Sequence, residues 1–172
     1  MGRVSGKVAL ITGAAVGLGR ADAIALVNEG ARVCITDVNA AEGEKLAAQL
    51  NASHPGSAFF LPQDVRDEGR WTEVIGEVTK RYGGLHVLVN NAGIVIIGTP
   101  ETTTLEQFRL HQAVMSEGVF LGCKHAIPAI SASGGGSIIN MSSVASHLGY
   151  PVFYAYSAAK GAVRAMTKAT AR

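Results

Sequence analysis

The feature that most constrains this chain is an alternation: short β-branched and apolar runs are separated by longer stretches in which apolar residues recur at helical spacing. "KVALIT" (7–12), "ARVCIT" (31–36), "SAFFLPQD" (57–64), "LHVLVN" (85–90) and "GSIINMS" (136–142) have the length and composition of buried strands. Helical patterns cover 17–29, 41–51, 67–82 and 104–131, and a last one runs from about 155 to the end. In the first of these, Ala21, Ile24, Ala25 and Val27 are available for packing. Parallel strands need a crossover long enough to hold a helix, so this pattern predicts an α/β fold with a doubly wound parallel sheet covered by helices on both faces.

With 172 residues, 48% of them hydrophobic, the chain has material for one buried core, and residues 1–172 read as a single domain. No repeat or low-complexity linker divides it. The glycine-rich "SASGGGS" (131–137) has the length of an ordinary helix-to-strand loop. A net charge of +2 with no run of Lys or Arg argues against nucleic-acid and membrane partners. The first residues, "MGRVSGKVALITG", lack a cleavage-site pattern and are too short in apolar content to span a bilayer, so a cytoplasmic protein is expected. Cys34 and Cys123 lack metal spacing and read as reduced core thiols, and no metal is expected.

The first strand runs into "TGAAVGLGR" (12–20), where Gly13, Gly17 and Gly19, with Leu18 between the last two, permit a tight turn and close backbone approach to a pyrophosphate. The next helix would present free N–H groups and its positive dipole end to that anion. The spacing is G-x-x-x-G-x-G, and a glycine-rich turn taken alone is equally a structural turn. Asp37, at the end of the second strand, can accept hydrogen bonds from both hydroxyls of an adenosine ribose and would repel a 2′-phosphate, which favours NAD over NADP. Its other reading is a helix N-cap. Val16 and Val38, the neighbours that might reverse the choice, are uncharged.

Asp64, followed by Val65, ends the third strand, and "NNAG" (90–93) ends the fourth. Strand carboxyl ends line the ligand crevice of a doubly wound sheet, so both segments are expected to face the same cofactor. Asp64 could hold the adenine amino group, Asn90 and Asn91 could bridge neighbouring strands, and Ala92 and Gly93 would leave room for the adenosine. A plain turn would use the same residue types.

Tyr156 and Lys160 stand at i and i+4 on one helix face. A free phenol titrates near pH ~10, so base chemistry near neutrality requires stabilisation of its ionised form, which an adjacent ammonium supplies. Ser143, after the fifth strand, could hold a substrate oxygen. Taken alone, Tyr/Lys at this spacing is ordinarily surface decoration, and the combination carries more weight than any member. His125 and His147 have no evident carboxylate partner.

Together, "TGAAVGLG", Asp37, Asp64, "NNAG", Ser143 and "YSAAK" resemble the short-chain dehydrogenase/reductase family, whose domain is a Rossmann fold, along the whole chain. The resemblance implies that Tyr156 exchanges a proton with a secondary alcohol or ketone. Lys160 would tune it and bind the nicotinamide ribose, and Ser143 would position the substrate. It also implies assembly as a dimer or tetramer through the two long helices. Two departures accompany it. The family usually carries an asparagine in a segment like V-N-x-x-G-V-F, where this chain has "VMSEGVF", placing Met115 at that position. A thioether donates no hydrogen bond, and Ser116, turned by about 100°, is a poor stand-in. The family fold also continues beyond the Tyr/Lys helix with further strands and a covering loop, so the chain is expected to be incomplete at its C-terminal end. The apolar "IVIIGTP" (94–100) favours a hydrophobic, alicyclic or steroid-like substrate. A catalytically silent dinucleotide-binding or assembly module is the alternative.

Overall fold

The structure is a computed structural model and describes residues 2–171. Its centre is β1 (Val8–Thr12), buried at every position. β2 (Arg32–Asp37) and β3 (Ala58–Pro62) lie on one side of it, β4 (Val87–Asn90) and β5 (Ser137–Asn140) on the other, in the order β3-β2-β1-β4-β5. Every pairing is parallel. The strand order reverses between β1 and β4, and the carboxyl ends of these two strands therefore border a crevice.

Each face of the sheet is covered by helices, as the sequence pattern predicts. α1 (Gly17–Asn28) and α2 (Ala40–Ser53) cover one face, where Ala23, Val27, Leu46 and Leu50 pack on Ala9, Ile11, Val33 and Ile35. α3 (Glu68–Tyr82) covers the other with Trp71, Val74 and Val78 against Leu10, Leu88 and Leu121. α3 has both signals of a well-delimited helix: Asp67 caps its first turn by accepting the Arg70 N–H, and Gly83 ends it in a left-handed conformation.

Several boundaries depart from the sequence reading. The helix expected over 104–131 is three pieces: α4 (Leu105–His111), a π-helical segment (Gln112–Glu117), and α5 (Gly118–Ala132). The wider turn inserts a residue into the apolar spacing, which period counting cannot register. β3 stops at Pro62, so Gln63 and Asp64 lie just past it. Ala23 faces the core of α1, whereas Ala21 and Ala25 are exposed. A short helix, α6 (Ala145–Leu148), precedes the final helix α7 (Tyr154–Thr170). No helix among the described residues is long and apolar enough to cross a membrane.

α5 approaches the sheet closely at two glycines. A Cβ on Gly118 would come within 2.9 Å of Val65 Cγ2, and one on Gly122 would run into Asn90 Oδ1 and lie 2.9 Å from Trp71 Cη2. Asn90 is itself fixed by donating to Asn140 Oδ1 at 2.8 Å, joining β4 to β5. Gly122→Ala is therefore expected to lower stability by about 1–3 kcal/mol through overpacking. Urea denaturation of the variant beside wild type measures it, and an unchanged midpoint would show that α5 can shift freely.

Candidate active site

The carboxyl ends of β1, β2, β3 and β4 and one face of α7 enclose a cavity of about 590 Å³. Its lining begins with Gly13, Val16, Leu18, Asp37 and Val38, passes Asp64, Val65, Asn91, Ala92 and Gly93, and reaches Tyr156 and Lys160. Residues more than 140 positions apart in sequence thus share one crevice, because parallel strands deliver all their carboxyl ends to the same edge.

The glycine loop is built as a turn against β4. Gly13 has φ +61°, and a Cβ there would stand 2.7 Å from Ala92 Cα; a Cβ on Gly19 would meet Asn91 Nδ2 and sit 2.9 Å from Ala14 Cα. Asn91 Nδ2 donates to Thr12 O and Gly13 O, both at 2.9 Å, and so bridges β4 to the loop as expected. Asn90 instead reaches β5. Unlike α2, α3 and α4, which Asn39, Asp67 and Thr104 cap, α1 has Val16 at its N-cap position and no side-chain cap. Its first-turn N–H groups remain available at the cavity, an arrangement suited to a pyrophosphate.

Asp37 supports the same loop. Its Oδ2 accepts the Ala15 N–H at 3.0 Å and its Oδ1 accepts the Asn39 N–H at 3.0 Å. Each oxygen retains a further lone pair for a ribose hydroxyl. Asp64 is differently placed: Arg66 donates to it from Nε (2.9 and 3.0 Å), from Nη2 (2.5 Å) and from its backbone N–H (3.0 Å). These bonds hold the Asp64 carboxyl below the usual carboxylate range. Ligand chemistry at this corner therefore competes with a fork already made.

At the far end, Lys160 is 94% buried, and its Nζ donates to Met141 O at 2.5 Å and lies 5.7 Å from the Tyr156 ring centroid. Burial pushes its pKa below the ordinary lysine value. Ser143 does not join the lining; its Oγ accepts the Ala145 N–H at 3.1 Å at the start of α6. Ser142 does line the cavity, and its Oγ donates to Lys160 O at 3.1 Å. Adjacent serines after a strand gave no sequence signal to separate them. The side wall, Ile94, Val95, Leu110 and Val114, is apolar, and its two members from α4 and the π segment were not anticipated from the sequence.

Met115 is fully buried; a Cβ on Gly93 would lie 3.5 Å from its Sδ. Ser116 Oγ donates to Gln112 Oε1 at 2.7 Å and lies 3.5 Å from Ala159 O. His125 has a carboxylate partner after all, since Nε2 lies 3.2 Å from Glu68 Oε1, which also accepts from Lys124 Nζ at 2.6 Å. That cluster ties α3 to α5 on the surface. Cys34 and Cys123 are free thiols, and no group of metal-ligating side chains occurs among the described residues.

Comparison with known proteins gives this geometry its family. The family model for short chain dehydrogenases matches residues 7–172. The chain belongs to the short-chain dehydrogenase family. It is 46% identical over 169 residues to a 3-beta-hydroxysteroid dehydrogenase from Comamonas testosteroni, covering 98% of this chain and 65% of the relative. It is 41% identical over 170 residues to an NADP-dependent (R)-specific alcohol dehydrogenase from Lentilactobacillus kefiri, covering 98% and 67%. The crystal structure of a levodione reductase superimposes with a TM-score of 0.93 at 31% identity, covering 98% of this chain and 66% of that one. The chain thus spans about two thirds of the length of these short-chain dehydrogenase relatives.

The buried Lys160 gives a pH test of the site. Its folded-state pKa is lowered, so the unfolded chain binds more protons between that value and ~10.4. Burial therefore opposes folding below the folded pKa, and this opposition fades as pH rises through it. The stability of wild type relative to Lys160→Met should increase between pH 7 and pH 10, read from paired urea melts. A flat or falling difference would contradict the lowered pKa.

Proposed function

We propose that the protein is an NAD-dependent oxidoreductase that transfers hydride between nicotinamide and a secondary alcohol or ketone carried on an apolar, alicyclic or steroid-like framework. The observation that carries this reading is one cavity holding Asp37 and the uncapped start of α1 at one end, and Tyr156 with buried Lys160 at the other. The residues fit a dinucleotide: a carboxylate for the ribose diol, free N–H groups for the pyrophosphate, and glycines where a Cβ would obstruct the turn. Val38, 74% exposed beside Asp37, and Val16 bring no cation for a 2′-phosphate, which favours NAD.

Bound nicotinamide supplies the hydride acceptor or donor. The chain's own contribution is to the proton and to position. The ionised Tyr156 oxygen takes the hydroxyl proton of the alcohol, or returns it to the carbonyl oxygen in reduction. The Lys160 ammonium stabilises the negative charge on that oxygen, and its bond to Met141 O keeps it on the cavity side of α7. Ser143 serves the substrate oxygen once its hydroxyl turns from the Ala145 N–H, with Ser142 as its neighbour on the wall. Exposed Val95, Ile97, Val144, Leu148 and Val152 lie on the segments after β4 and β5, Leu148 at the end of α6, and suit an apolar substrate body. Assembly as a dimer or tetramer would use α5 and α7, where Phe120 and Ile127 of α5 are exposed.

The alternative of a catalytically silent dinucleotide-binding or assembly module is favoured by Met115, a buried thioether where the family places an asparagine. Measurements of NADH formation with alicyclic and steroid alcohols separate the two. The expected result is turnover with NAD in excess of NADP, lost by at least ~100-fold in Tyr156→Phe while NAD still binds. Turnover that survives Tyr156→Phe would refute the assigned base. Binding without turnover, unchanged in Met115→Asn, would establish the silent module.

A further inference from the structure

The apolar side wall of the cavity hangs on a single hydrogen bond. Its residues Ile94 and Val95 lie between two fixed points. At one, the Ala92 N–H donates to Thr12 Oγ1 at 3.1 Å; at the other, the Gly98 N–H donates to Val152 O at 2.9 Å. Among the described residues, the backbone of 93–97 makes one hydrogen bond of its own, from the Ile96 N–H to His111 Nε2 at 3.2 Å. His111 is fully buried at the end of α4, next to Leu110 of the same wall. Its Nδ1 lies 2.7 Å from Gln107 O. A carbonyl can only accept and a backbone N–H can only donate, so the ring is the neutral tautomer with its proton on Nδ1.

We propose that His111 is a positioning residue that pins the cavity's apolar wall, and that it holds the pin only while its ring is neutral. Apolar side chains are the ordinary occupants of a fully buried helix position, and what imidazole adds here is an acceptor aimed at Ile96. Protonation turns Nε2 into a donor set against another donor, and the Ile96 N–H is left without an acceptor. The 93–97 segment then loses its one bond to α4, and Ile94 and Val95 lose the position in which they meet a substrate body. Among the described residues, no ion pair or further hydrogen bond reaches the ring from any element around it. Glu106 and Arg109 of α4, Glu117 of the π segment and Glu101 of the preceding loop are exposed. On α7, which packs against α4, Tyr156 and Lys160 border the cavity, and Lys160 Nζ is engaged by Met141 O. That the wall holds a substrate rests on the oxidoreductase reading given above; the pin itself does not.

The test is hydrogen-exchange protection of the Ile96 amide, followed by NMR and corrected for the intrinsic pH dependence of exchange, from about pH 7.5 to about pH 5.5, where imidazoles titrate. In wild type, protection is expected to fall about tenfold or more across this range, while the Leu10 amide in β1 keeps its protection. In His111→Gln, whose side-chain oxygen accepts but does not titrate, Ile96 protection should not vary with pH. In His111→Leu it should be low throughout. Constant protection in wild type overturns the proposal, and so does an equal fall in His111→Gln. Steady-state kinetics with an alicyclic alcohol supply the second readout: His111→Leu should raise KM by more than it lowers kcat. A change in kcat alone would overturn the role at the substrate wall. Absence of turnover in wild type would sink the oxidoreductase reading, and the exchange measurement would still decide the pin.

Discussion

The site depends on the hydroxyl of Thr12. This buried group at the end of β1 accepts the backbone N–H groups of both Asn91 and Ala92 at 3.1 Å and lies 3.4 Å from Val89 O, to which it donates. Asn91 answers with its side chain on Thr12 O and Gly13 O. The ends of two adjacent parallel strands, where ladder bonding stops and the chains would otherwise splay, are thereby held at one spacing. The glycine loop takes its shape from that spacing: Gly13 must lack a side chain because Ala92 is pressed against it, and Gly19 because Asn91 is. A network of this kind fixes geometry as well as contributing energy.

From this lock the remaining positions follow in layers. Asp37 fastens the far side of the loop by accepting from Ala15, and the Gln63 N–H bonds Asp37 O, so the ends of β1, β2 and β3 are registered to one another. Trp71 Nε1 donates to Val65 O at 2.9 Å and holds the cavity floor from beneath, while Gly118 and Gly122 let α5 close over Val65 and Asn90. The end of the cavity bordered by Asp37 and Asp64 is thus set by strand ends and close-packed backbone. The end bordered by Tyr156 and Lys160 is set by α7 and by loops joined through a bridge between Gly98 and Phe153.

That difference explains what could be read in the sequence. Strand runs such as "VALIT", with five buried residues in succession, are visible because a central parallel strand is apolar on both faces. The glycines, Asp37 and "NNAG" are visible because each answers to a local backbone requirement. The π segment was not, since an inserted residue changes the phase of the apolar pattern without changing its composition. Nor was the Arg66 fork: whether Asp64 faces a ligand or the residue two places on is a matter of side-chain geometry past the end of β3. Likewise, period and composition cannot choose between Ser142 and Ser143, which differ only in which way the chain turns into α6.

Met115 joins these two halves. The wider turn over 112–117 directs Met115 inward against Gly93 and leaves Ser116 facing α7 near Ala159 O. A buried thioether seals the seam between "NNAG" and the helix by packing, and it offers no hydrogen bond to water or backbone there. The Ser116 hydroxyl and the Ser142 hydroxyl lie near successive carbonyls of α7, those of Ala159 and Lys160. In a short-chain dehydrogenase built this way, substituting an amide at 115 alone would insert a polar group into an apolar seam. The packing of that seam, set by Met115, and the hydrogen bonds to the α7 carbonyls, made by the two serines, are therefore controlled by different residues.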